Sequence, residues 1–168
     1  YLIEDRSVSV RTMCDCAAMA RQSIKKNALE SIAFYNKNMQ KAIKERKFVE
    51  SHMKKALDNN EFIIYLQPKF SISSGEAIGY EALVRWQSPE KGMIYPDGFI
   101  PLFEENGFIT KLDAYVWECA CMVLRDWIDR HFTPLPISVN VSRANLDDES
   151  FLDVLDGLID KYRLPKHL

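Results

Sequence analysis

Residues 77–86 alternate with period two, and they put an acid and a base on one face of a strand that is otherwise apolar. Ile78, Tyr80, Ala82, Val84 and Trp86 form one face; Ala77, Gly79, Glu81, Leu83 and Arg85 form the other. A strand covered on both sides keeps charges only where they are paired or used. Two readings follow. Glu81 and Arg85 neutralise each other along one face, or both stand at a C-terminal strand end, where α/β barrels open into the loops that build their sites.

The neighbouring segments set this strand in an α/β pattern. Residues 61–70 read as a strand, 71–76 as a Ser- and Gly-built turn, and 88–96 as a Pro/Gly loop. A short helix is expected over 97–106 and a long one over 111–130. A third strand follows at 136–142, then a helix over 148–162 capped around Asp147. Strands followed by helices imply an α/β sheet or barrel. Three strands after residue 60 are fewer than half of an eight-stranded barrel, which needs about 250 residues.

The flanking strands also carry polar faces. Ile137, Val139 and Val141 alternate with Ser138, Asn140 and Ser142. The Asn140 amide either ties backbone to backbone or offers its oxygen to a hard cation beside the Glu81 carboxylate. Gln67 and Lys69 share a face at the end of the first strand, where they either reach a ligand or are simply solvated. Pro68 between them removes a ladder donor, as at an edge or a break in pairing.

Upstream, 1–5 reads as a strand end, 10–26 as a helix and 31–35 as a short strand, a piece too small to bury a core of its own. Residues 36–59 form a long charged helix whose apolar positions, Met39, Ala42, Val49, Met53 and Ala56, are interrupted by Arg46. It is either a connector helix that transmits a signal or pairs with a second copy, or a helix that packs on a neighbouring domain. With 22 basic and 24 acidic residues the net charge is −2. That leaves no electrostatic footprint for a nucleic-acid polymer or a membrane surface. Cys14/Cys16 and Cys119/Cys121 are spaced poorly for zinc and read as reduced, mostly buried thiols of a cytoplasmic segment. Any membrane anchor of the parent would lie upstream.

Four blocks then give a resemblance. Tyr-Leu-Gln-Pro-Lys (65–69), Gly-Tyr-Glu-Ala-Leu-Val-Arg-Trp (79–86), Pro-Asp-Gly-Phe-Ile-Pro (96–101) and Ser-Val-Asn-Val-Ser (138–142) occur in the order and spacing of EAL domains. The resemblance implies the first strands and helices of a modified TIM-type (β/α)8 barrel whose first strand is antiparallel to the rest. It also implies hydrolysis of cyclic di-GMP to pGpG with Mg²⁺ or Mn²⁺. By position, Glu81 and Asn140 resemble metal ligands and Arg85 a phosphate contact. Gln67 and Leu83 line the cleft, and Pro96, Phe99 and Pro101 shape its wall. The opening piece resembles the end of a GGDEF domain, which divides the chain into a GGDEF remnant (1–36), a connector helix (37–59) and a truncated EAL portion (60–168). A homodimer through the connector or the EAL portion is compatible with this division. The alternative to an enzyme is a catalytically inactive EAL-type module that binds cyclic di-GMP or regulates. The family's other acidic ligands and its Lys lie on later strands. On this reading the segment alone is expected to be inactive, and to fold poorly or self-associate.

Overall fold

The computed structural model describes residues 7–24, 32–146 and 150–168. The strand expected at 1–5, the helix end beyond Ile24 and the cap at Asp147 lie outside the described residues. The chain divides into two compact units, Tyr1–Ser51 and His52–Leu168.

In the first unit, α1 (Val10–Ile24) starts where the Ser9 hydroxyl accepts the backbone N–H of Thr12 at 3.2 Å. Helix α2 (Lys37–Asp58) starts the same way, with Asn36 Oδ1 accepting from Met39 N at 3.1 Å. Such caps satisfy donors that a helix start leaves orphaned. Residues 32–35 form no strand. The expectation there rested on four residues of β-type composition, and no neighbouring strand in the described residues supplies the ladder such a segment needs. Of the four cysteines, all free, Cys16 and Cys121 are buried, Cys119 is half-buried and Cys14 is exposed.

The second unit takes in the last turns of α2, from His52 on. Asn60 takes a left-handed φ of 57°, and Glu61 N donates to Ala56 O at 2.9 Å, turning the chain into β1 (Phe62–Phe70). Asn tolerates that backbone better than most residues. Strand β2 (Ala77–Ser88) pairs antiparallel with β1 along its length, with Gln67 opposite Glu81 and Tyr65 opposite Leu83. On the other edge of β2 lie two short strands. One is β3 (Gly92–Ile94), antiparallel and paired through Trp86–Ile94, in a stretch expected to be loop. Helix α3 (Ile100–Asn106) follows a 3₁₀ turn at Pro96–Gly98, and α4 (Ile109–Asp129) follows Gly107, whose φ is 77°. The second short strand is β4 (Ile137–Ser138), parallel to β2, with Tyr80 opposite Ile137 and Glu81 opposite Ser138. The chain then adds the single turn α5 (Arg143–Leu146) and α6 (Ser150–Lys161).

The expected third strand over 136–142 is therefore two residues long in the ladder. Beyond Ser138 the backbone is held by side chains of α4 and no longer by the β2 ladder. The antiparallel first strand and the parallel third are as expected.

The core lies on the apolar face of β2. Phe62, Trp86, Phe99 and Phe103 are each at most 1% exposed. Their ring centroids, together with Phe108, stand 4.9–6.1 Å apart in tilted and edge-on contacts. The Trp86 indole N–H donates to Glu61 Oε2 at 3.0 Å, so its one polar atom is satisfied. Phe99 lies fully inside this cluster. At Gly79 the backbone of β4's lead-in comes very close. Tyr80 N donates to Pro136 O at 2.8 Å, and a Cβ on Gly79 would stand 2.9 Å from the same oxygen.

Tyr115 ties α4 to the start of β1, its hydroxyl donating to Phe62 O at 2.9 Å. Burial, with a smaller contribution from Cys119, pushes this hydroxyl up from 10.0 to about 12. A phenol held above its unfolded value supports folding fully below pH 10 and loses that support as pH rises toward 12. Tyr115→Phe lacks this titration but also lacks the hydrogen bond, worth about 1 kcal/mol. Urea melts are expected to show the parent more stable at pH 9, with the gap to Tyr115→Phe closing by pH 12. Parallel pH profiles would refute the assignment.

Candidate active site

The second face of β2 and its neighbours form a polar surface. Antiparallel and parallel register together place Gln67 of β1, Glu81 of β2 and Ser138 of β4 side by side across three strands. Asn140, two residues past the ladder, turns back to this row, and its Nδ2 donates to Glu81 Oε1 at 3.2 Å. Both side chains retain solvent access. Lys69, paired with Gly79 on the same face, passes over that glycine and donates to Ser138 Oγ on the far strand. Leu83 is half-buried between Glu81 and Arg85.

Arg85 is not neutralised by Glu81. No ion pair joins them, and the guanidinium donates from Nη1 to its own neighbour's carbonyl, Val84 O, at 2.8 Å. Two tyrosine rings hold it, with Tyr65 at 5.8 Å and Tyr95 at 5.6 Å from ring centroid to Cζ. Such contacts contribute about 0.5–1 kcal/mol each at exposed sites. They fix a planar donor while leaving its remaining N–H groups available for an anion. Both rings are more than half exposed, so the surface around Arg85 is aromatic and open. Pro96 starts the 3₁₀ turn immediately after Tyr95.

The structure thus brings together Gln67, Glu81, Leu83 and Asn140, and places Arg85 farther along the same face. Pro96 enters through its neighbour Tyr95. The tyrosines escaped the sequence reading, although Tyr65 shares period-two parity with Gln67. Two buried residues of α4 escaped it as well. Trp117 donates from Nε1 to Asn140 O at 3.0 Å. Asp113 Oδ2 accepts from Ser142 N at 2.9 Å and from Asn145 Nδ2 at 2.7 Å. An Asp between Leu112 and Val116 on an apolar helix face was the available signal.

Glu81 and Asn140 suit a hard cation by chemistry, since carboxylate and carboxamide oxygens are what Mg²⁺ and Mn²⁺ take. As placed, Asn140 points its nitrogen at Glu81. Sharing a cation requires the carboxamide to turn about Cβ–Cγ and present Oδ1. No group of three or more His, Cys, Asp or Glu gathers anywhere among the described residues. These two residues fit a cation as part of a coordination shell.

The EAL domain family model matches residues 50–168. The chain belongs to the EAL domain family. An uncharacterized protein of Mycobacterium tuberculosis is 37% identical over 126 residues, covering 74% of this chain and 41% of the relative. The cyclic di-GMP phosphodiesterase PdeR of Escherichia coli is 31% identical, covering 86% of this chain and 22% of its own length. Among solved structures, the PaMucR phosphodiesterase in complex with c-di-GMP superposes with a TM-score of 0.65 at 30% identity, over 70% of this chain and 47% of that one. The chain therefore spans less than half the length of these relatives. Among the described residues no helix is long and apolar enough to cross a membrane.

Proposed function

We propose that these residues are the opening portion of a (β/α)8 barrel whose whole protein hydrolyses cyclic di-GMP to the linear dinucleotide pGpG. The observation that carries this reading is the Glu81–Asn140 pair, held at 3.2 Å across neighbouring strands with Arg85 unpaired by any carboxylate on the same face. Glu81 and Asn140 would hold Mg²⁺ or Mn²⁺, which polarises a phosphodiester and generates hydroxide near neutral pH. Arg85, stiffened by Tyr65 and Tyr95, would take the phosphate oxygens, and Gln67 and Leu83 would line the cleft. Relatives named as phosphodiesterases, and a structure titled as a c-di-GMP complex, support the substrate class.

Two oxygen-donor side chains are too few for a two-metal site, which favours two further statements. The 168-residue chain alone turns over no cyclic di-GMP. If the whole protein also lacks further ligands, it is an EAL-type binding or regulatory module. The FimX EAL domain from Pseudomonas aeruginosa, solved bound to c-di-GMP, is 27% identical with a TM-score of 0.61 and supports the ligand under either reading. Residues 1–36 as a GGDEF remnant and 37–59 as a connector rest on the motif match and on the continuous helix Lys37–Asp58.

The test is pGpG release with Mn²⁺, measured on the whole protein and on the 168-residue chain. Turnover by the whole protein alone is expected. Binding without turnover by the whole protein would move the assignment to the regulatory module, and absence of binding would overturn both.

A further inference from the structure

The ladder between β2 and β4 stops at the Glu81–Ser138 pair, yet Asn140 stands within hydrogen-bond reach of Glu81. Strand pairing therefore does not place it. Two side chains of α4 do. Asp113 and Trp117 are four residues apart, hence on one helix face. They grip the backbone of the segment after β4 at positions two residues apart: Trp117 Nε1 at Asn140 O (3.0 Å) and Asp113 Oδ2 at Ser142 N (2.9 Å). Asp113 also takes Asn145 Nδ2 at 2.7 Å, which closes the start of α5 onto the same point. The spacing is that of alternate residues along a strand, so α4 supplies side-chain partners where a neighbouring strand would have supplied backbone ones.

Both residues are costly to place as they are. Asp113 is 8% exposed and Trp117 2%. A carboxylate this buried is tolerated because it accepts two N–H groups. Packing alone explains the Trp117 ring, which lies 6.2 Å from Phe151, but not the direction of its N–H.

We propose that Asp113 and Trp117 are positioning residues that set Asn140 against Glu81. They touch neither ligand nor cation themselves. Their effect on chemistry passes through the backbone of residues 140–142, much as residues behind a metal ligand commonly tune it. The inference rests on the metal-ligand reading of Glu81 and Asn140, and its test separates the two.

Hydrogen exchange of the metal-free whole protein reads the anchoring directly, and Mn²⁺ titration reads its consequence. In Asp113→Ala and Trp117→Phe, exchange at residues 140–142 is expected to quicken at least about tenfold, and Mn²⁺ affinity to fall about 10–100-fold. Asp113→Asn, which keeps an acceptor for Ser142 N–H, is expected to stay within about threefold of the parent in affinity, a rescue that a general loss of stability would not give. Unchanged exchange in both disrupting variants overturns the proposal, as does quickened exchange with unchanged Mn²⁺ affinity. If Asp113→Ala does not fold, Trp117→Phe decides, since it removes the N–H and keeps an aromatic ring. If the parent itself binds no Mn²⁺, the metal reading fails, and exchange alone then decides whether α4 places Asn140.

Discussion

Glu81→Ala is expected to lower Mn²⁺-dependent cleavage of cyclic di-GMP by the whole protein about 10²–10³-fold. Charge stabilisation by a bound cation is worth several kcal/mol, and each loss of about 1.4 kcal/mol is a factor of ten. The carboxylate is the only anionic donor in the row formed by Gln67, Glu81 and Ser138, so its removal leaves Asn140 with no anionic neighbour there and with the Lys69 ammonium bonded to Ser138 close by. Glu81→Gln sharpens the reading. It preserves size and can still accept a hydrogen bond from Asn140, but it removes the charge that draws in a dication. A loss in Glu81→Gln close to that in Glu81→Ala identifies charge as the contribution. Activity within a factor of three of the parent in Glu81→Ala would remove Glu81 from the site. Melting curves of both variants should match the parent, because the side chain keeps solvent access and supports no core residue.

Trp86→Ala is expected to cost about 3–5 kcal/mol, the range for emptying a buried aromatic position. For a protein of this size that is a fall of about 6–20 °C in Tm. Trp86 is fully buried, with rings of Phe62 at 5.2 Å and Phe99 at 6.1 Å, so the cavity has rigid walls that cannot collapse cheaply. The substitution also removes the indole N–H that Glu61 Oε2 accepts. Trp86→Phe keeps most of the ring contacts and should lose less than half as much. A Trp86→Ala protein that melts within 2 °C of the parent, a margin set by that same conversion, would show that the ring cluster is not the core of the unit.

How far each feature could be read in the sequence follows from how local its cause is. The two faces of β2 were legible because a strand's period is fixed by its backbone, and the antiparallel partner was implied by the family resemblance. Glu81 and Asn140 could be named as neighbours before any geometry. What the pattern hid was the means. Polar residues alternate through 138–142 as if the strand continued, but pairing ends at Ser138 and buried side chains of α4 take over. Contacts between residues 23 to 29 positions apart leave no periodic trace. Strand β3 escaped for a related reason: the three residues Gly92–Ile94 are too few to alternate visibly, and their partners are the last residues of β2, Trp86, Gln87 and Ser88. At 32–35 the error ran the other way. β-type composition alone suggested a strand that no partner completes.

The missing side chain at position 79 settles which residues of β4 can meet which residues of β2. Parallel strands offer evenly spaced bonds, so a slip by one position loses little hydrogen bonding while turning every side chain to the opposite face. Here Pro136 O comes so close to Gly79 that a Cβ would stand 2.9 Å away. A slip in either direction would bring Ile78 or Tyr80 to that spot and force a branched or aromatic side chain against a carbonyl. The glycine thus acts as a registration mark: it admits one alignment, and in that alignment Glu81 faces Ser138 with Asn140 just beyond.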